Sequence, residues 1–422
     1  MKAKVFNQIK LYLFTICLGA FVGAVVWLFL RILALCKSFV WETLPNIAPS
    51  EAAPFLMPVI CASAGMLLGI IRKRHGDFPD ELNVVLSKIK SDKHYDYSKM
   101  GVMLICALIP LVFGASVGPE AGLSGIIAAL CYWIGDNVKY AHEKIRTYSE
   151  IGAAVTLGSL FASPLFGIFA VEESYDARDL DVRKLPLPKI NKIVMYGLSA
   201  VSAFFVIKGL GLLFHVEIHG FPKFDAQPVS VGDYAMTIPY ILTGLLLFFV
   251  SDAAEKLFGR TASFLPAVAG ETICGGIIGI TAGVLPVILF SGEEQLAQMS
   301  TSIADYMPVV FIGTGVLKML MTAFCIRFGV KGGHFFPLIF ACSSVGFGLS
   351  VLVFGASLPH AVFAAAVVTA STLGAQLKKP LATAILLMLC FPLNIIIWIV
   401  LAAVAGGLAA AKIIGSDNHE GF

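Results

Sequence analysis

The chain has 422 residues, 58% hydrophobic and 14% charged, with a mean hydropathy of +0.87. A soluble domain carries about 25% charged residues, so a water-soluble fold is excluded and the chain reads as a multi-pass membrane protein. Its net charge of +3 is too small to suggest a nucleic-acid partner.

Lys2, Lys4 and Lys10 precede an apolar run over 11–35. That run exceeds a signal peptide's apolar core of about 7–15 residues. It predicts a first membrane helix that starts in the cytoplasm of a cell (plasma or inner) membrane. Further apolar runs follow at 54–71, 100–114, 121–134, 150–171, 193–214, 236–251, 264–290, 307–326, 335–356, 359–377 and 381–413. Crossing the hydrocarbon takes about 20 residues. Several runs are shorter and others carry Gly or Pro, which predicts an all-α polytopic fold of tilted, partial and re-entrant helices. Irregular backbone at membrane depth must be buried in protein or line a watery cavity.

Arg72-Lys73-Arg74-His75 and the Lys-rich stretch 87–99 mark a cytoplasmic face. Residues 174–192, SYDARDLDVRKLPLPKINK, are the most charged linker. The expected organisation is a membrane half over 1–175, a linker over 176–192, a second half over 193–415 and a short tail over 416–422. No large soluble regulatory domain is expected. Each half holds one Gly/Pro-broken segment, GASVGPEAGLSG at 114–125 and GVKGGHFFPLIF at 329–340. Such pairs point to inverted-topology repeats with a site at the midplane. The nine cysteines form no CxxC and no His-rich cluster, so neither a metal, a cofactor nor a disulfide framework is expected.

Glu120 is a carboxylate inside an apolar run, where an unpaired charge is costly. Pro119 suits the first position of a helix, and the glycines before it leave backbone N–H groups bare. A helix N-terminus attracts anions, so Glu120 sits where an anion would also bind and competes with it as a gate. The plainer reading is a helix cap at the membrane surface. GGHFFP, 332–337, is a second backbone-amide site at a helix start; His334 either carries a proton itself or fills space while its N–H does the binding. In FASPLFGIFAVEESYD, 161–176, Glu172 and Glu173 oppose the dipole at a helix end and read either as a proton site or as a solvated helix end. Glu271 either faces a cavity or is paired. No HExxH or Ser/His pair is present, and His334 and His360 have no evident partners, so the chain is not read as an enzyme. A cation-coupled solute carrier is a second alternative.

Taken together, GPEAG at 118–122, GGHFFP at 332–337 and FASPLFGIFAVEE at 161–173 resemble, in order, the GxEGP, GGIFAP and FNAPLAGxLFxxEE motifs of the chloride channel/transporter (CLC) family. RKRHGDFPDE stands where GSGIPE is expected, and LKKPLATAILLML at 377–389 resembles a late APLTGIILVLE segment. The resemblance implies an all-helical homodimer of two inverted halves embedded in lipid, with an anion pathway in each subunit. It implies exchange of chloride or a related small anion for protons, or a chloride channel. It makes Glu120 the external gate and gives anion contacts to Gly118, Glu120, Ala121, His334 and Phe335. Gly76 falls where the family has its anion-coordinating serine, and Asn394 where it has a late tyrosine. Glu173 matches the first glutamate of the family pair and Ser174 the second, the internal proton-transfer position.

Overall fold

The computed structural model describes residues 2–47, 49, 53–80, 84–85, 88, 96–137, 151–152, 155–156, 189–216, 222–388 and 390–417. Among these the regular structure is helical, as the broken apolar runs predict, and nine helices are long and apolar enough to cross a membrane. The chain forms two compact units. One comprises Met1–Ser38, Asp77–Leu108 and Glu120–Gly220, the other Phe39–Gly76, Ile109–Pro119 and Phe221–Phe422.

In the first unit, α1 (Lys2–Ser38) packs on α5 (Lys189–Leu213). Gly19 lies against the backbone of Ser199 and Gly23 against that of Ala203. Small residues four apart on both helices let the backbones approach, the usual basis of helix association in lipid. Ser202 adds a bond from Oγ to the Ile16 carbonyl, 2.8 Å. Helix α3 (Met100–Val112) starts in this unit and runs into the other, and α4 (Glu120–Asn137) sets Gly122 against the Ala107 methyl.

The second unit holds α2 (Ala53–His75), α6 (Val231–Ser263), α7 (Ala267–Val284), α8 (Glu293–Thr301), α9 (Pro308–Arg327), α10 (Phe335–Phe354), α11 (Leu358–Leu377), α12 (Pro380–Leu387) and α13 (Ile396–Asp417). Helices α2 and α7 pack through GxxxG on both sides. A Cβ at Gly65 would strike the Glu271 carbonyl, and one at Gly275 would strike that of Cys61. Helices α10 and α11 are 78% and 83% buried along their apolar windows, against 28% for α2. A helix apolar all round belongs in the interior, and these two form the core.

Three runs differ from expectation. The run 264–290 becomes α7 alone, because Pro266 precedes its first turn and Pro286 follows its last. The run 381–413 splits into α12 and α13 around Pro392. The run 236–251 lengthens to 33 residues, since Ser230 and Asp233 form a capping box before it and its charged last turns extend beyond the apolar window. Most of 150–171, and Glu172, Glu173 and Ser174 with it, lie outside the described residues.

Candidate anion site

The stretch after α3 cannot continue as helix. Gly114 takes φ +83°, a left-handed value where a Cβ would also meet the Trp41 ring. Trp41 fixes the approach by donating from Nε1 to the Val112 carbonyl, 2.8 Å. Residues 115–118 are then irregular, and Val117 donates back to the Ala115 carbonyl at 2.8 Å. Gly118 and Gly333 donate to each other's carbonyls at 2.7 and 2.8 Å, an isolated antiparallel bridge. This bridge joins the two glycine-rich stretches singled out in the sequence. Gly332 leaves no room for a side chain, since a Cβ there would fall 2.5 Å from Val117.

Directly after the bridge, His334 is the N-cap residue and Phe335 the first residue of α10. The His334 side chain makes no capping hydrogen bond. The leading N–H groups of a helix have no acceptor within it and point along the positive end of the dipole. Pro337 stands in the first turn, where a missing N–H costs nothing. Phe335 is 2% exposed and His334 half-buried, their rings 4.4 Å apart. The geometry is that of a buried helix start able to receive a small anion through backbone amides.

Two side chains of α9 hold this irregular stretch. Thr322 shares a 2.9 Å bond with the Ser116 hydroxyl. One turn earlier, Lys318 is fully buried, and its Nζ donates to the carbonyls of Ile288, Leu289 and Phe290 at 3.1, 2.9 and 2.5 Å. Phe290 in turn donates its N–H to the Gly114 carbonyl, 3.2 Å. The ammonium's three donors are thus all used, which accounts for a charge at membrane depth. Sequence reading passed over Lys318, although a single cation in the run 307–326 is the signal that would have found it.

The other sequence-derived residues fall as follows. Glu120 is the first residue of α4 and fully buried, and Ala121 is 2% exposed. Ser124 donates to the Glu120 carbonyl, 2.6 Å. Gly76 is an exposed residue at φ +118° whose N–H closes the end of α2 on the Arg72 carbonyl, 2.9 Å, a left-handed helix stop. Asn394 is exposed and gives its amide to the Gln227 carbonyl, 2.6 Å. Glu271 is paired: Arg72 Nη1 donates to its carboxylate and to the Gly329 carbonyl. His360, expected to lack a partner, has one. Its Nδ1 lies 2.8 Å from Asp233, a buried acid 127 residues away in sequence, and such a pairing is invisible to local reading.

The sequence model described as voltage gated chloride channel matches residues 64–411. A chloride channel protein CLC-e of Arabidopsis thaliana is 24% identical over 78% of this chain, which spans 48% of that protein's length. An uncharacterized protein of Methanocaldococcus jannaschii is 22% identical over 80% of each chain. A slow cyanobacterial Cl-/H+ antiporter superposes with a TM-score of 0.78 at 17% identity, covering 94% of this chain and 93% of its own. A CLC-type fluoride/proton antiporter gives 0.71 at 18% identity, with 96% of both chains covered. These similarities fix the fold, and the family match over most of the chain fixes its descent: the protein belongs to the voltage-gated chloride channel (CLC) family.

Proposed function

We propose that this protein moves a small inorganic anion, chloride first, across a cell membrane in exchange for protons, as a homodimer in which each subunit holds its own pathway. The observation that carries this reading is the Gly118–Gly333 bridge, which sets the start of α10 beside the backbone that leads to Glu120. The anion binds to main-chain N–H groups at His334 and Phe335, with those of Glu120 and Ala121 two and three residues along the chain from Gly118; Gly118, expected as an anion contact, has its own N–H taken by the Gly333 carbonyl and serves through the bridge. Ionised Glu120 competes for the place of the anion and yields it on protonation, so carboxylate and anion exclude one another and proton uptake is linked to anion entry at one place. Glu172 and Glu173 are proposed as the proton groups at the cytoplasmic side, and Gly76 and Asn394 as the family-equivalent positions of the inner site. The relatives that support exchange are the two antiporters. The plant relative is named a channel, which favours uncoupled flow as the second reading.

One experiment separates the two. Purified protein in liposomes is given a chloride gradient while external chloride and pH are recorded together. Exchange predicts protons driven uphill by chloride, and Glu120→Gln retaining chloride flow with at least a tenfold loss of proton movement. Chloride flow without protons in the unaltered protein selects the channel.

A further inference from the structure

A cleft opens beside the first turn of α10. Ser251 and Glu255 of α6, Thr322 of α9, His334 at the cap of α10 and Gln376 of α11 line it with polar groups, and its free space, open solvent included, is about 270 Å³. Polar side chains gathered between membrane-spanning helices mark pathways rather than packing. Gln376 Oε1 is buried and accepts no hydrogen bond from any described residue. Met319, Ala323 and Leu338 complete the lining; a buried acceptor requires a donor, and the cleft has room for about one water to supply it.

The lining differs in kind from residue to residue. Glu255 is ion-paired with Arg327 of α9, and these side chains are 28% and 42% exposed. His334, which the cleft also takes in, follows Gly333 of the bridge. The charged residue that α6 contributes to the lining is Glu255; α11 contributes the neutral Gln376. Arg327 lies two residues before Gly329, which Arg72 binds, so the exposed pair is on the Arg/Lys-rich face expected to be cytoplasmic. A histidine is the side chain that gains and loses a proton near neutral pH.

We propose that this cleft is a cytoplasmic proton entry, and that the His334 side chain relays protons from it to the anion site. A ring nitrogen takes a proton from a cleft water while that water takes one from solvent at the exposed Glu255–Arg327 pair, and the imidazolium releases the proton toward the anion site, which returns the ring to its neutral form. The inference rests on the exchange reading and gives that reading a proton route besides Glu172 and Glu173.

The test uses the same liposomes and reads the ratio of protons to chloride moved. His334→Gln removes the titrating ring but keeps the backbone N–H, and Gln376→Leu fills the cleft from another helix. Both are expected to lower the ratio at least fivefold, and His334→Gln to flatten the dependence of exchange on cytoplasmic-side pH between about 5 and 8. Because chloride flow in the same vesicles is the denominator, partial misfolding lowers both fluxes and does not imitate the effect. An unaltered ratio in either variant overturns the proposal and leaves the exchange reading intact. Absence of proton movement in the unaltered protein removes the exchange reading itself, and the relay with it.

Discussion

Lys318 and Phe290 are joined by a 2.5 Å bond from a buried ammonium to a backbone carbonyl, and through Phe290 the charge is tied to the stretch that leads to the Gly118–Gly333 bridge. The N–H of Phe290 holds the Gly114 carbonyl, and Thr322, one turn from Lys318 and bonded to its carbonyl at 2.9 Å, holds Ser116. One face of α9 therefore anchors the irregular stretch before Gly118 at two points.

Lys318→Met strands three carbonyls at membrane depth. Leaving a buried polar group unsatisfied costs about 1–3 kcal/mol each, so the loss is about 3 kcal/mol or more, seen as a lower unfolding temperature in detergent. Lys318→Arg is expected to fail as a rescue, because a planar guanidinium does not converge on three successive carbonyls as an ammonium does. Full stability of the Met variant would show that the carbonyls find other donors.

The bridge itself is tested at Gly332. A methyl there meets the Val117 side chain at 2.5 and 2.6 Å and the Gly118 carbonyl at 3.2 Å, so Gly332→Ala must push the two strands apart. Chloride flux is expected to fall at least tenfold. Adding Val117→Gly removes the nearest obstructing atoms and should restore part of it. A double variant no better than the single would locate the damage elsewhere.

Much of this was legible in the sequence, and the remainder was hidden for definite reasons. GASVGPEAGLSG and GGHFFP announced themselves because glycine and proline inside apolar runs have few other uses in a membrane, and the structure brings the two together at Gly118 and Gly333. What stayed hidden depends on distant partners. Glu271 could not be assigned until Arg72, 199 residues away, was seen beside it, nor could His360 before Asp233. Lys318 escaped because apolar periodicity was the guide and one lysine barely disturbs it. The ends of α7 and α12 could not be read from the apolar runs 264–290 and 381–413, because apolar loops between helices look like helix when the solvent is lipid.

The α2–α7 contact predicts opposite outcomes for two glycines of one helix. At Gly275 a Cβ strikes the Cys61 carbonyl, whereas at Gly283 it meets nothing within 4 Å. Gly275→Ala is expected to cost about 1–3 kcal/mol through overpacking. Gly283→Ala should leave stability unchanged or raise it by up to about 1 kcal/mol, since alanine loses less backbone freedom. Thermal unfolding monitored by size-exclusion chromatography distinguishes them, and equal effects would mean that the helices are not in close contact.

Arg72 makes two bonds with different consequences, one to Glu271 and one to the Gly329 carbonyl. The side chains are 11% and 1% exposed, and removing one partner of a buried pair leaves the other charge uncompensated, at about 3–5 kcal/mol. Glu271→Met and Arg72→Met should each destabilise by that order, while the double variant, which leaves no lone charge, should lie closer to the unaltered protein than either single variant. Activity should divide differently. Gly329, held at φ +94°, opens the segment that delivers Gly333 and His334, and among the described residues it is Arg72 that grips its carbonyl. In the stable double variant the carbonyl is ungripped although no lone charge remains. Its chloride concentration for half-maximal flux is therefore expected to rise severalfold. Unchanged chloride dependence there would confine Arg72 to stability and leave the anion site to the bridge and to α9.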